Sequence, residues 1–235
     1  MSQEITPVDI LAFGAHPDDV EIGAGGILAK HGAAGYRTAI CDLTRAELSS
    51  NGTPEIRQQE AQRAGEILGL SGRYTLSLPD RGLTGSDDQL LKIVGIIRRL
   101  RPRIVLAPYA KDRHPDHRAC HQMVREAVFD AGIRKKKVED LPAHRVEQVF
   151  YYLINDMDKV DLIVDVSSVY EQKIKGILAY RSQFVREAGE VDTVLNHPSY
   201  LAMIRSRDQL WGYQIGVEYG EGLITEKPLS TPLLL

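Results

Sequence analysis

The sequence is poor in cysteine: among its 235 residues only Cys41 and Cys120 occur. Two cysteines without metal-ligand spacing exclude a disulfide framework and fit a reducing cytoplasm. A basic excess is also missing. Lys and Arg number 29 against 32 Asp and Glu, a formal charge of −3, which argues against a protein that coats nucleic acid. A small anionic substrate stays open, because a pocket can be basic on a slightly acidic protein. Long hydrophobic runs are absent as well. Val8–Ala15 and Ile93–Ile97 fall far short of the ~20 residues a spanning helix needs, so no membrane partner is expected. The N-terminus has no basic start followed by a long apolar stretch, and no signal peptide is expected. Nucleotide loops are lacking: Gly23, Gly25 and Gly26 come too late after the first strand for G-x-G-x-x-G, and no Walker A sequence exists. Nor is there a G-x-S-x-G elbow for a Ser-His-Asp hydrolase. The sequon at Asn51 has no meaning in a cytoplasmic protein.

What the chain does have is ordinary globular material, 43% hydrophobic and 26% charged, enough to bury one large core. Its first half alternates strand-like and helix-like segments. Val8–Phe13, Arg37–Leu43, Tyr74–Leu78 and Arg103–Ala107 read as strands. Gly23–His31, the segment from Thr53-Pro54 to Gly69, the segment from Ser86 to Leu100, and His117–Ala131 read as helices. Thr53 is a natural cap with Pro54 in the first helical position, Gly69 a natural stop, and Ser86-Asp87-Asp88-Gln89 resembles a capping box. Such repeated β-α units predict an α/β fold, a Rossmann-like parallel sheet with helices on both faces, in a single domain over residues 1–235. Further on, the basic stretch Arg134–Lys137 reads as a solvated loop. Gln148–Ile154, Leu162–Val166 and Val217–Ile224 read as strands, Val169–Phe184 and Tyr200–Tyr213 as helices. The tail Leu229–Leu235 reads as a disordered end or a segment docking on a neighbouring subunit.

Two short clusters carry the chemistry, and both follow expected strands: Ala15-His16-Pro17-Asp18-Asp19 and His114-Pro115-Asp116-His117. In a sheet of order 3-2-1-4 the first and fourth strands are neighbours, and their carboxyl ends form the crevice in which such folds bind ligands. Imidazole and carboxylate suit zinc or a similar divalent ion. His16, Asp18, Asp19, His114 and His117 would supply three ligands and leave two groups for proton transfer and charge stabilisation; the residues alone do not divide the roles. A helix cap competes as the task of Asp18-Asp19. His31 and His144 read as surface residues, His121 and Cys120 as packing residues.

The paired H-P-D-D and H-P-D-H clusters resemble the zinc-dependent N-deacetylases of the LmbE or PIG-L type. The stretches HPDDVEIGAGG, Thr44 through Ala61, Leu78-Pro79-Asp80-Arg81-Gly82 and Tyr180-Arg181-Ser182-Gln183 extend the likeness over most of the chain. They are especially similar to the bacillithiol-biosynthesis deacetylases. The resemblance implies His16, Asp19 and His117 as zinc ligands, with ferrous iron the alternative metal. It implies Asp18 as general base, and His114 as oxyanion stabiliser or general acid oriented by Asp116. Glu47, Arg57 and Asp80 would line the sugar pocket, Arg113 would bind a substrate carboxylate, and His197 would be a further pocket residue. The implied reaction is hydrolysis of the acetamide of N-acetylglucosaminyl-malate. Another N-acetylglucosamine conjugate or a chitooligosaccharide is the alternative substrate, and a homo-oligomer, commonly a hexamer, is the implied assembly.

Overall fold

The computed structural model describes residues 6–186 and 189–229. Beyond Leu229, the tail for which docking or disorder was expected lies outside them. Seven strands form one sheet: β1 (Ile10–Gly14), β2 (Thr38–Asp42), β3 (Gly72–Thr75), β4 (Ile104–Pro108), β5 (Gln148–Tyr152), β6 (Leu162–Asp165) and β7 (Gly220–Ile224). Their order is β3-β2-β1-β4-β5-β7-β6, so the expected 3-2-1-4 run is present. The strands from β3 to β5 are parallel, with Ala12 of β1 opposite both Ile40 and Leu106. At the far side the sheet becomes mixed, because β7 runs antiparallel between β5 and β6.

Seven helices cover the sheet: α1 (Asp19–Ala33), α2 (Pro54–Leu68), α3 (Asp87–Leu100), α4 (Pro115–Ala131), α5 (Tyr170–Leu178), α6 (Arg181–Phe184) and α7 (Pro198–Ile215). Strand alternation sorts β1 between two cores. Leu11 and Phe13 join Ile93, Ile97 and Val124 of α3 and α4, while Ile10 and Ala12 join Ile27, Leu28 and Ile174 of α1 and α5. Each such side chain withdrawn from water contributes about 1.5–3 kcal/mol. The apolar run of β1 is therefore what a strand buried on both faces requires.

Several local expectations change in detail. Helix α1 starts four residues earlier than its apolar pattern, at Asp19, because the turn that ends β1 feeds straight into it. Its glycines serve packing: a Cβ on Gly23 would run into the Tyr152 ring, and one on Gly26 would lie 2.9 Å from Val166 Cβ. Thr53 caps α2 and Gly69 closes it at φ 69°. The capping box at Ser86 does not form; the Gln89 side chain instead accepts from Thr84 N and Gly85 N and donates to Gly82 O. The helix expected over Val169–Phe184 is divided into α5 and α6, since Tyr180 leaves helical geometry (ψ 66°) while its hydroxyl donates to buried Glu21.

The insertion of β7 also seals a set of charges. Lys173, Arg207, Asp208 and Glu221 are all fully buried. Lys173 Nζ lies 2.5 Å from Asp208 and 2.8 Å from Glu221. Glu221 also accepts from Gly26 N and Ile27 N of α1, and Arg207 donates to Ile22 O, Leu153 O and Ile154 O.

Candidate active site

The carboxyl ends of β1 and β4 face a cavity of about 320 Å³. Both sequence clusters line it, through His16, Asp18, Asp19, His114 and His117. The first cluster is a tight turn. Asp19 Oδ2 accepts from His16 N at 2.9 Å, closing the entry to α1. Asp18, at φ 116° in the left-handed region, makes no capping hydrogen bond. Asp18 thus occupies the N-cap position of α1 without using its side chain there, and its carboxylate is released for another task.

Asp19 does more than close the turn. Its Oδ1 lies 3.0 Å from His117 Nε2, and its Oδ2 3.5 Å from His16 Nδ1. The other nitrogen of each ring rests on a further carboxylate. His16 Nε2 is 3.3 Å from Asp80 and 3.5 Å from Asp116, and His117 Nδ1 is 3.0 Å from Asp112 Oδ1. Burial alone would lower the pKa of both rings. For His16 the hydrogen bonds it donates to Asp116, Asp19 and Asp80 outweigh it and hold the ring well above its usual range. For His117 the charge of Asp19 and the bond from Asp112 raise it to about 9. Asp19 goes the opposite way, held well below the carboxylate range against its burial by His117. The pocket thus favours positive charge at one point between three side chains.

A divalent ion fits that point. Imidazole and carboxylate are borderline-to-hard donors, and an outer carboxylate on each ligating ring fixes its tautomer. His16, Asp19 and His117 offer that set. In that set both rings meet Asp19, whereas the groupings that bring all three donor atoms within 4.8 Å of one another among the described residues are His16 with His114 and His117, and His16 with Asp80 and Asp116. The carboxylates of the second are engaged elsewhere: Asp80 accepts from Leu48 N, and Asp116 from Arg81 N and Nη1.

Asp18 is 4% exposed. Burial drives its pKa up, Arg57 opposes this, and the balance is about 7. Arg57 Nη2 donates to Asp18 Oδ2 at 3.0 Å and also to Pro17 O. His114 stands across the cavity as the N-cap of α4, its Nδ1 accepting from Asp116 N at 3.2 Å. That leaves Nε2 as the nitrogen carrying the proton in the neutral ring. Burial, followed by the charges of His16 and His117, lowers its pKa.

Two expected pocket residues lie off the cavity wall, and two other expected residues have fixed partners. Asp116 reaches the His114 ring through its backbone N–H, while its carboxylate is taken by Arg81. Arg57 lines the cavity and donates to Asp18. Glu47 is exposed, and its neighbours Ala46 and Leu48 line the cavity instead. His197 caps α7 at the surface, its Nδ1 accepting from Ser199 N, and is no part of the cavity wall. Asp80 and Arg113 do line the cavity. Elsewhere His121 packs on Tyr151 as expected, at 4.3 Å between ring centroids, and Cys120 is a buried free thiol. His31 and His144 are half-buried, each tied to a backbone carbonyl.

Sequence reasoning missed four residues. Asp112 accepts from His114 N and from Asn155 Nδ2 while facing His117, so one carboxylate ties both histidines of the second cluster to the loop after β5. Its position two residues before His114 was a usable signal. Asn155, Gln183 and Tyr200 complete the wall, with Tyr200 donating to Asn155 Oδ1 at 3.1 Å. They come from three distant segments, and only Gln183 lies in a stretch singled out from the sequence, Tyr180-Arg181-Ser182-Gln183, where it had no assigned role.

The chain is similar in sequence and fold to known proteins. The profile of the PIG-L family, described as GlcNAc-PI de-N-acetylase, matches residues 11–128. The conserved protein TT1542 from Thermus thermophilus superposes with a TM-score of 0.87 at 41% identity, over 96% of this chain and 98% of that one. Diacetylchitobiose deacetylase of Thermococcus kodakarensis is 29% identical over 91% of this chain and 81% of its own length. A probable N-acetyl-alpha-D-glucosaminyl L-malate deacetylase of Bacillus subtilis is 26% identical over 87% of this chain and 97% of its own. With the profile spanning both His-Asp clusters and a solved relative matching nearly end to end, the chain belongs to the PIG-L family.

Proposed function

We propose that this chain is a metal-dependent N-deacetylase that hydrolyses the acetamide of an N-acetylglucosamine conjugate. The observation that carries the reading is the pairing across one cavity of Asp18, a buried carboxylate balanced near neutrality, with His114, whose free nitrogen is a hydrogen-bond donor. A binding protein needs neither. Zinc, or ferrous iron, held by His16, Asp19 and His117 would supply Lewis acidity, making a water more acidic and the amide carbonyl more electrophilic.

The chain's own groups then divide the work. Asp18 accepts a proton from the attacking water, and Arg57 keeps enough of it ionised at neutral pH to do so. Addition of water to the carbonyl carbon puts negative charge on the carbonyl oxygen, which a donor at His114 stabilises. The C–N bond breaks as the proton that Asp18 took from the water passes to the nitrogen, since an unprotonated amine leaves poorly, and the carboxylate is restored while His114 Nε2–H remains a hydrogen-bond donor. Acetate and the free amino sugar result. Asp112 holds His114 N and His117 in register throughout.

Within this reading N-acetylglucosaminyl-malate is the proposed substrate. Its support is Arg113, an exposed guanidinium on the cavity wall whose planar fork suits a carboxylate. A homo-oligomer, a hexamer by resemblance, and a cytoplasmic location belong to the same reading. Among the described residues no helix is long and apolar enough to cross a membrane. Acetate release by the zinc-loaded protein, from N-acetylglucosaminyl-malate and from diacetylchitobiose, tests it. Release from the malyl conjugate that is lost in Asp18→Asn is expected; absence of release from any acetylated amino sugar overturns the deacetylase reading.

A further inference from the structure

Next to the catalytic cavity lies a second, more open groove of about 560 Å³, bordered by Tyr109, Lys111, Arg113, Arg118 and Asp156. Arg113 belongs to the walls of both. It is exposed, and among the described residues its guanidinium has no hydrogen-bond or ion-pair partner. The other two cations are only lightly engaged. Lys111 Nζ lies 3.0 Å from Asp158 in a largely exposed pair, the kind that salt and competing anions easily exchange. Arg118 donates through Nη1 to Asp112 O, which leaves the rest of its fork free. Against these three stands Asp156; Asp112, also at the groove, already faces His117 and Asn155.

We infer that this groove is the subsite for the substituent that the amino sugar carries, and that the substituent is an anion recognised by Lys111 and Arg118 together with Arg113. The inference rests on the deacetylase reading for what occupies the catalytic cavity. A sugar there sends its substituent outward across Arg113, the one residue common to both walls. A single guanidinium fork satisfies one carboxylate or one phosphate. A group bearing two negative charges needs a second cation within reach, and Lys111 and Arg118 supply it. A neutral sugar or polyol in the same place would gain nothing from three cations. The shared chemistry is that of oxyanions, a dicarboxylate such as malate or a phosphate ester.

The test compares kcat/KM for acetate release from the neutral methyl glycoside of N-acetylglucosamine, from its malyl glycoside and from its 1-phosphate. The metal-loaded wild type is set against Lys111→Glu and Arg118→Gln. An anionic substrate is expected to exceed the methyl glycoside, and whichever anion does so names its source. Each variant should cut that ratio about tenfold, the worth of one charge-assisted hydrogen bond, mainly through KM. Raising the ionic strength should shrink it in the wild type. A wild-type ratio near one, or a ratio unchanged in both variants, overturns the inference and leaves the deacetylase reading intact. Failure of the wild type to release acetate from any of the three overturns the deacetylase reading instead. Equilibrium dialysis with malate and with inorganic phosphate then decides the groove: binding that weakens in Lys111→Glu supports an anion subsite, and no binding overturns it. Because both side chains are at least partly exposed, circular dichroism is expected to show wild-type folding, and the ratio cancels any general loss.

Discussion

Two regions of this protein bury charge, and they do it differently. Behind β7, Lys173, Arg207, Asp208 and Glu221 are sealed at zero exposure, each head group met by an opposite charge, a backbone carbonyl or a backbone N–H. At the ends of β1 and β4, His16, Asp18, Asp19 and His117 are nearly as buried, yet they line a cavity. The sealed set has no room for a ligand, and its partners come from α1, α5, α7 and β7, so it ties elements together. The cavity set leaves ring nitrogens and a carboxylate with capacity to spare. Burial of charge alone therefore does not mark a functional site. What marks it is charge whose partners can be exchanged for protons, a metal ion or substrate.

The comparison breaks most visibly if Asp18 behaves like the sealed charges. Asp18→Asn keeps the shape, and Asn tolerates the positive φ. It should lower kcat by about 10²–10⁴ and leave the melting temperature near wild type; a stability loss with little change in kcat would make Asp18 structural. The converse substitution is Lys173→Met, which strands Asp208 and Glu221 without their cation. Urea unfolding should show a loss of about 3–5 kcal/mol, and an unchanged midpoint would remove the sealed set from the framework. A smaller effect is expected at Asp112, which belongs to the cavity set but acts through His117. Asp112→Asn should weaken metal binding about 10–100-fold in a chelator competition, and wild-type affinity would show that the contact does not orient the ring.

The last prediction concerns pH. The working form of Asp18 is the carboxylate, so activity falls as pH drops through the pKa of that group, which burial raises and Arg57 pulls back to about 7. In Arg57→Gln the opposing charge is gone. The acid limb of kcat should then move to higher pH, by about one unit or more. Movement to lower pH, or none, would show that Arg57 serves another purpose.

How much of this was legible beforehand depends on distance along the chain. The run Ile10–Phe13 announces a strand buried on both faces by itself, and the H-P-D-D and H-P-D-H clusters announce their place after strands. The order 3-2-1-4 then brings the clusters together. What failed involved partners that no local pattern names. Nothing near Arg57 names Asp18 as its partner, and nothing near Asp116 says that its N–H meets His114 while Arg81 takes its carboxylate. Ser86 reads as a cap, but Gln89 satisfies the preceding turn. The antiparallel placement of β7 depends on contacts with β5 and β6 that its five residues do not encode alone.

The wall built by Asn155, Gln183 and Tyr200 has a consequence of its own. Every ionisable group given a part in the reaction lies between His16 and His117, in the first half of the chain, whereas this wall is drawn from loops and helix ends of the second half. The reacting groups are thus confined to the first half, whereas the cavity wall is shared between residues of that half, such as Leu48 and Arg113, and this later stretch. Mutation can remodel the later stretch, and with it the shape of the molecule admitted, while the bond that is cut stays the same. A lineage built on this scaffold is free to change its diet without relearning its chemistry.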